Sequence, residues 1–503
     1  MKKLFVLITV LLTTLFLARV SLAATYYVAT NGNDANPGTL DRPFATINTG
    51  IGKLSAGDTL YLRGGTYVQT VSVGKSGTAS TPITISGYPG ETAVIDGQDT
   101  LPAGDWGILF GVSGNYVTVR DLKIQQSQWF GLHLSGHHDQ AINVKVHRCK
   151  DMGIYVGGDY SLVENCESYY NARWNEFGQN LKGSWASGIS ACRHPKYVTL
   201  RGNKVWNNWG EGLSTYESEY TTLEDNIVYD SWSTNVYLSD TKYSILRRNL
   251  VYCTPESPMK GTGGSGVGIM MGDETYNPAS SDNIVVNNLV MGCRRNFYWW
   301  QGVQGGGLVN VLIAYNTFVD SSYETDFIIG YGGPHSNTRI ENNIIFQEDS
   351  LPVAIIASSS GLAFSSNLWS KTPPSSASGT GDVIGDPKLA KTGQTGAGQL
   401  TAEWFKILSA SPAINKAKVL TEVSEDFFKT SRGSSPDIGA YEYVSSSLTG
   451  DVNNDGSVNI LDVQACVNHI LGIQNYGTRA DVNGDGSVNV LDVQAVVNII
   501  LGV

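Results

Sequence analysis

Charge is scarce in this 503-residue chain. Asp, Glu, Lys and Arg make up 16% of residues, against about 25% in an ordinary globular protein. That shortfall excludes a long helical or coiled-coil protein, which would be rich in Ala, Glu, Lys and Leu. Cysteine is also sparse, at six residues, too few for a disulfide scaffold of this length. Long apolar runs are missing beyond the first 23 residues, so no later segment is expected to span a membrane. What the chain does have is Gly (57 residues), aromatics (10%) and a 41% hydrophobic fraction, which exclude wholesale disorder. The profile is that of a Gly-punctuated, strand-dominated protein. The net charge of −11 argues against nucleic acid or an anionic membrane as the main partner.

The one apolar run, Leu4–Leu17, follows Lys2 and Lys3 and leads to Ser21-Leu22-Ala23. Residues 1–23 therefore read as a secretory signal, and the mature protein is expected to be exported. Losing Lys2, Lys3 and Arg19 would take the net charge to −14.

The middle of the chain repeats. Tyr197-Val-Thr-Leu-Arg-Gly-Asn203 recurs 23 residues later as Tyr220-Thr-Thr-Leu-Glu-Asp-Asn226, and again as Tyr243-Ser-Ile-Leu-Arg-Arg-Asn249. Looser copies centre on Asn165, Asn288, Asn316 and Asn343. Each unit holds two or three short alternating strands and no convincing helix. The Leu-rich consensus of a leucine-rich repeat is absent, and a propeller blade needs a longer unit. A right-handed parallel β-helix fits, with coils stacked ~4.8 Å apart. The Asn has a physical reason: it tolerates a left-handed bend, and its amide can bond to its neighbours along the stack.

The reading divides the chain into an N-terminal cap and first coils (24–100), a β-helix core (101–370), a closing segment (371–444), a linker (445–449) and a C-terminal unit (450–503). Two insertions interrupt the coils, between Asn171 and Gly188 and between Cys253 and Gly266, and are expected to wall a groove. The Tyr26-Tyr27-Val28, Asn36-Pro37-Gly38-Thr39 and Pro43-Phe44 block, the Asn-bearing coils and the ending Asp437-Ile-Gly-Ala-Tyr-Glu-Tyr443 resemble secreted right-handed β-helix proteins of the pectate-lyase superfamily.

The C-terminal unit carries the sharpest chemical signal. Asp451, Asn453, Asp455, Ser457, Asn459 and Asp462 repeat 30 residues later as Asp481, Asn483, Asp485, Ser487, Asn489 and Asp492. These are positions 1, 3, 5, 7, 9 and 12 of an EF-hand-like calcium loop, with Ser offering its backbone carbonyl and Gly456 or Gly486 making the sharp turn. Each loop leads into a short amphipathic helix, with Val463, Val467, Ile470 and Leu471 on one expected face and Val493, Val497, Ile500 and Leu501 on the other. The tandem resembles a type I dockerin, which implies two bound Ca2+ ions and a cohesin-type partner. Positions 10 and 11, usually small hydroxyl residues in that family, are Ile460-Leu461 and Val490-Leu491 here.

A glycan-active solenoid needs acids and sugar platforms on its outer face. Taking Leu213 and Val236 as inward, the outward line runs through His133, Tyr155, Ser190, Ser214, Tyr237, Gly268 and Tyr298. A second line at the strand ends is Arg193, Glu217 and Asp240, with Asp273 nearby, and Glu211 follows Trp209. Glu211, Glu217, Asp240 and Asp273 are the candidate catalytic acids, because carboxylates one coil apart sit near the ~5–5.5 Å of a retaining glycosidase pair. Arg193 and His194 could pair with a uronate, and Trp209, Trp232 and Tyr237 could stack on sugar rings.

The run Asn165-Cys-Glu-Ser-Tyr-Tyr-Asn171, followed by an insertion and a Gly, resembles family 9 pectate lyases. The calcium-binding Asp cluster and catalytic Lys which that resemblance implies are not found in Ser187–Cys192 or Asn207–Gly212. The paired acids thus favour a glycoside hydrolase over a lyase, tethered by its dockerin, with a non-catalytic glycan-binding or surface-structural solenoid as the competing class. The coil cysteines are expected as an inward ladder, with a Cys149–Cys166 disulfide as an alternative in an exported protein.

Overall fold

The computed structural model describes residues 23–104, 106–182, 185–259, 261–264, 266–275, 280–303, 305–444, 448–455 and 457–503. Residues 1–22 of the expected signal segment, residues 445–447 of the linker and Gly456 lie outside the described residues.

The chain winds through three parallel sheets of 13, 13 and 11 strands, here the first, second and third in the order each coil visits them. One coil runs Thr199–Arg201, Lys204–Trp206, Glu211–Tyr216 and re-enters the first sheet at Thr222–Glu224. Thr199 pairs with Thr222 and Thr222 with Ile245, so the 23-residue repeat is one coil. This is the right-handed parallel β-helix expected. Alternate residues of each strand point inward, and one continuous apolar core runs from Val28 to Ala377. The helix Ile47–Lys53, capped by Thr46, buries Ile47 and Ile51 against the first coil.

The corner between the first and second sheets explains the Asn repeat. Asn203, Asn226, Asn249, Asn288, Asn316, Asn343 and Asn367 form one ladder, each donating its side-chain amide to the Oδ1 of the next at 2.9–3.1 Å. That Oδ1 also accepts the backbone N–H of the preceding Asn, as from Asn226 to Asn249 at 3.1 Å. The left-handed residue is the one before the Asn, including Gly202, Asp225 and Arg248 (φ +66, +57 and +53). Asn165 takes that bend position (φ +53), and Cys166 stands in the ladder, its N–H donating to Asn203 Oδ1.

The cysteines correct one expectation. Cys149 occupies a different corner, where its N–H donates to Asn171 Oδ1. It therefore cannot meet Cys166, and both are free and buried. The disulfide is Cys253–Cys293, at the base of the second insertion.

After Val383–Ile384, which extends the second sheet, the closing segment returns along the outer face of that sheet. Trp404, Phe405, Ile407 and Ile438 bury Tyr229, Tyr252 and Leu289 there. The closing segment also packs Leu420 and Val423 on Val286 and Leu312 of the first sheet's outer face.

Residues 450–503 form two helices, Ile460–Ile470 and Val490–Leu501, each opened by an Asn N-cap with a reciprocal Asp at the third position. The buried apolar residues are Val452, Ala465, Cys466, Ala480 and Val496. The expected helix faces are thus only partly right: Val463 and Val493 pack, but Leu471 and Leu501 are 65% and 68% exposed. The loop valines Val458, Val482 and Val488 complete the small core in their place.

Candidate functional site

Strict alternation breaks on the third sheet, and the break builds the site. Gly188 and Gly212 sit at one register, between the paired residues Ser187–Glu211 and Ile189–Leu213. A Cβ on Gly212 would lie 2.5 Å from the Asn235 carbonyl oxygen and 2.7 Å from Val228 Cγ1, so only glycine lets the coil close there. The residues on both sides of this point reach the outer face. Ser187 Oγ donates to Glu211 Oε2 at 2.8 Å and lies 2.7 Å from Ser214 Oγ, which donates to Ser190 at 2.9 Å.

One coil on, Tyr237 lies across Gly272, where a Cβ would come 2.6 Å from the phenol oxygen. The Tyr237 hydroxyl donates to Glu274 Oε1 at 2.6 Å. Glu211, Tyr237 and Glu274, with Arg193, Met152 and Trp185, line a cavity of about 230 Å³. Burial pushes the Glu211 carboxyl up to about 7, with the Glu274 charge adding and the Ser187 and Ser214 hydroxyls opposing. Burial also raises Glu274, against the Tyr237 hydrogen bond and with the Asp240 charge adding. Tyr237 is raised well above an ordinary phenol, by burial first and by Glu274 next. The cavity therefore holds one carboxyl raised to about 7 and a second raised above its ordinary range beside an exposed guanidinium, a combination suited to moving a proton next to an anionic substrate.

The expected strand-end line is present, but its members differ in role. Arg193, Glu217 and Asp240 follow the paired residues Cys192, Tyr216 and Ser239, and Asp273 follows Gly272. Asp240 is a correction: it is buried, and its oxygens accept the Glu274 and Thr275 amides at 3.1–3.2 Å and the Thr275 hydroxyl at 3.0 Å. It holds the loop that carries Glu274 and is a positioning residue. Asp273 is fully buried and accepts the Ser280 N–H at 3.1 Å. Glu217 occupies a left-handed bend and faces His194 at 3.6 Å, outside the cavity lining.

Trp209 and Trp232 are a second correction. They are 4% and 7% exposed and pack under the insertions with Ala172, Ala186 and Met259. Trp232 Nε1 donates to Thr262 O, and Trp209 meets Phe177 at 4.9 Å between ring centres with the planes tilted by 56°. The tryptophan at the cavity is Trp185, 51% exposed. The outward line also shifts, because Met270 and not Gly268 pairs with Tyr237. Glu274 was missed by the sequence reading. Its only signal is adjacency to Asp273 at a strand end, where the chain leaves the repeat.

A calcium site of the family 9 type does not fit this face. Among the described residues the only cluster of three metal-ligating side chains is Asp451, Asp455 and Asp462 in the C-terminal unit. Their oxygens lie within 4.8 Å of one another, and Asp451 and Asp462 are buried. The loop is shaped around these acids: Asp455 N–H donates to Asp451 Oδ1, and Asn453 and Asn459 N–H groups to Asp462. The second loop repeats the pattern with Asp481, Asn483, Asp485, Ser487, Asn489 and Asp492. Oxygen donors at this spacing suit a hard cation.

Fold and site together define a right-handed parallel β-helix protein with an acidic cleft on one sheet and a paired-loop cation module. Residues 26–301 match the Pel9A-like right-handed β-helix region, and residues 449–501 match the dockerin type I domain. The chain belongs to the Pel9A-like β-helix family and carries a type I dockerin domain, a domain that binds calcium. It is 31% identical to pectate lyase PEL9 of Emericella nidulans over 213 residues, 39% of this chain and 50% of that protein, so it spans about half the length of that relative. It is 24% identical to pectate lyase L of Dickeya dadantii over 438 residues, 83% of this chain and 90% of that protein. Pectate lyase Pel9A has the same fold, with a TM-score of 0.52 at 20% identity over 85% of this chain and 98% of that one. XylC in complex with xylose matches with a TM-score of 0.58 at 11% identity, over 84% and 98%. Among the described residues no helix is long and apolar enough to cross a membrane.

Proposed function

We propose that the protein is an exported polysaccharide-degrading enzyme of the lyase type, working at the third-sheet cleft and tethered by its dockerin. The observation that carries this reading is the cleft itself, where Glu211, Tyr237, Glu274 and Arg193 from successive coils share one cavity. The named relatives are pectate lyases, and they move the reading from the hydrolase favoured by paired acids to elimination. In that reaction a base removes the proton α to a uronate carboxylate. The C4–O4 bond breaks, a C4=C5 double bond forms, and an acid protonates the departing O4.

Arg193 neutralises the uronate carboxylate. Glu274, a stronger base than an ordinary carboxylate, takes the proton with Tyr237 orienting it. Glu211, half-protonated near pH 7, supplies the proton to O4. No step uses a metal in the β-helix. The dockerin would hold two Ca2+ ions, one per loop, and the exposed Ile460-Leu461 and Val490-Leu491 pairs would meet an apolar patch on a cohesin-type partner.

The test is a panel of acidic and neutral polysaccharides read for absorbance at about 235 nm, the signature of the unsaturated product, and for reducing ends. Elimination gives both signals, and Glu211→Gln lowers them by about 10²-fold. Reducing ends without absorbance would mean hydrolysis, and neither signal would mean a binding protein.

A further inference from the structure

Beyond the cleft, the third sheet carries a second built surface. Phe130 pairs with Ile108, and the register through Leu132, Ile154, Ile189 and Leu213 puts Phe130 three coils before Glu211, or about 14 Å at the ~4.8 Å coil spacing. Phe130 reaches the outer face, as Ser187 and Glu211 do, with its ring 6.0 Å from His133 and 5.7 Å from Tyr155. Trp106 lies one coil further out. It is 67% exposed, stacked on Trp129 at 5.2 Å with 19° between planes, and its backbone is left-handed at φ +58. A bulky residue gains nothing for folding from that conformation or that exposure.

Trp129 is buried and fixed by a 2.8 Å hydrogen bond from its indole N–H to Gly104 O, so it makes a firm bed for Trp106. Lys182 Nζ sits 5.4 Å from the ring centres of both Trp129 and Trp174. Lys182 and Trp185 belong to the same insertion, so one loop walls both this platform and the Glu211 cavity.

We infer that Trp106, Phe130 and Lys182 form a distal subsite that grips an acidic sugar chain several residues from the bond being broken. The occupant is a polyuronate, because an aromatic face takes the sugar ring and the adjacent ammonium takes its carboxylate. The inference rests on the proposed cleft for its direction along the chain, but its test reads binding and not turnover.

The experiment measures affinity of the full chain for sodium polygalacturonate, for a galacturonate trimer and for neutral galactan, by calorimetry. Trp106→Ala should weaken polymer binding about tenfold and leave trimer binding and the melting temperature unchanged. Trp106→Phe should keep most of the affinity. Lys182→Ala should weaken binding and reduce its salt dependence. The subsite stands if these results hold even where no polysaccharide is cleaved. It falls if Trp106→Ala binds polymer normally, if the wild type binds galactan as tightly as polygalacturonate, or if it binds no polygalacturonate.

Discussion

The β-helix and the dockerin module are both made of repeated loops, and they differ in what completes them. In the β-helix each coil is completed by the next. Asn249 accepts two N–H groups from Asn226 and passes its own to Asn288, Leu223 and Arg247, so every polar group at the corner finds protein. The apolar core runs unbroken through the coils. In the dockerin module, only five apolar residues are fully buried, with a few half-buried valines around them, and three carboxylates converge in the first loop. Like charges that close repel unless a cation sits among them. Packing alone sustains a solenoid, whereas so small a unit needs a metal.

The strongest way to break this comparison is calcium removal. With EDTA the helical signal of residues 450–503 should collapse and the linker region become protease-sensitive, while the β-helix keeps its melting transition. Circular dichroism with limited proteolysis reads both. A dockerin helix signal that survives chelation would show that its small apolar core suffices.

Within the β-helix, the ladder claim is sharpened by Asn249→Ala. The change strands the Asn226 backbone N–H and one N–H of its side-chain amide in a buried corner, the other still reaching Leu200 O. Unmet buried donors cost ~1–3 kcal/mol each, so a loss of about 3 kcal/mol is expected in denaturant unfolding. Because the coils are stacked, the loss should appear in the whole β-helix transition and leave the dockerin's calcium affinity unchanged.

The cleft is where the β-helix departs from self-sufficiency, and Glu211 marks it. Its carboxyl is raised from 4.5 to about 7, so the folded state holds a proton that the unfolded chain releases. Its contribution is present in full below about pH 4.5 and is lost as pH rises through 7. Glu211→Gln should remove that dependence and make the protein more stable than wild type at pH 8, by up to about 3 kcal/mol. Melting temperatures of both proteins from pH 4 to 8 check it. Parallel curves would mean that Glu211 ionises as an ordinary surface acid.

Much of the solenoid was legible because its physics repeats. The 23-residue spacing, the Asn in each unit and the inward Leu213 and Val236 report one corner and one core row, seen many times over. The calcium loops were legible because ligand spacing is local in sequence. The cleft was half legible. Glu211, Tyr237 and Arg193 were reachable from register, but Glu274 lies where the chain leaves the repeat for a loop, and no period points there. Trp209 and Trp232 misled for a related reason: composition shows that an aromatic is present at a coil edge but not which insertion folds over it. The alternative of a Cys149–Cys166 disulfide failed because the two residues stand at different corners, which only the sheet order separates, and both are free and buried in the core.

Glu217 gives the smallest expected effect and the finest cut through the comparison. It stands one coil from Asp240 in the same strand-end register, and its backbone is equally left-handed, at φ +52 against +49. A reading by register alone treats the two acids alike. The structure does not, because the Asp240 oxygens receive the loop amides that hold Glu274, whereas the partner of Glu217 is His194, a side chain 76% exposed. An exposed pair of this kind contributes at most a few tenths of a kcal/mol. Glu217→Gln should therefore change stability by less than about 0.5 kcal/mol and leave kcat within about twofold of wild type. If it lowers kcat as far as Glu211→Gln does, the working face extends to the strand ends, and the catalytic pair must be sought along the line of Arg193, Glu217 and Asp240 instead of inside the cavity.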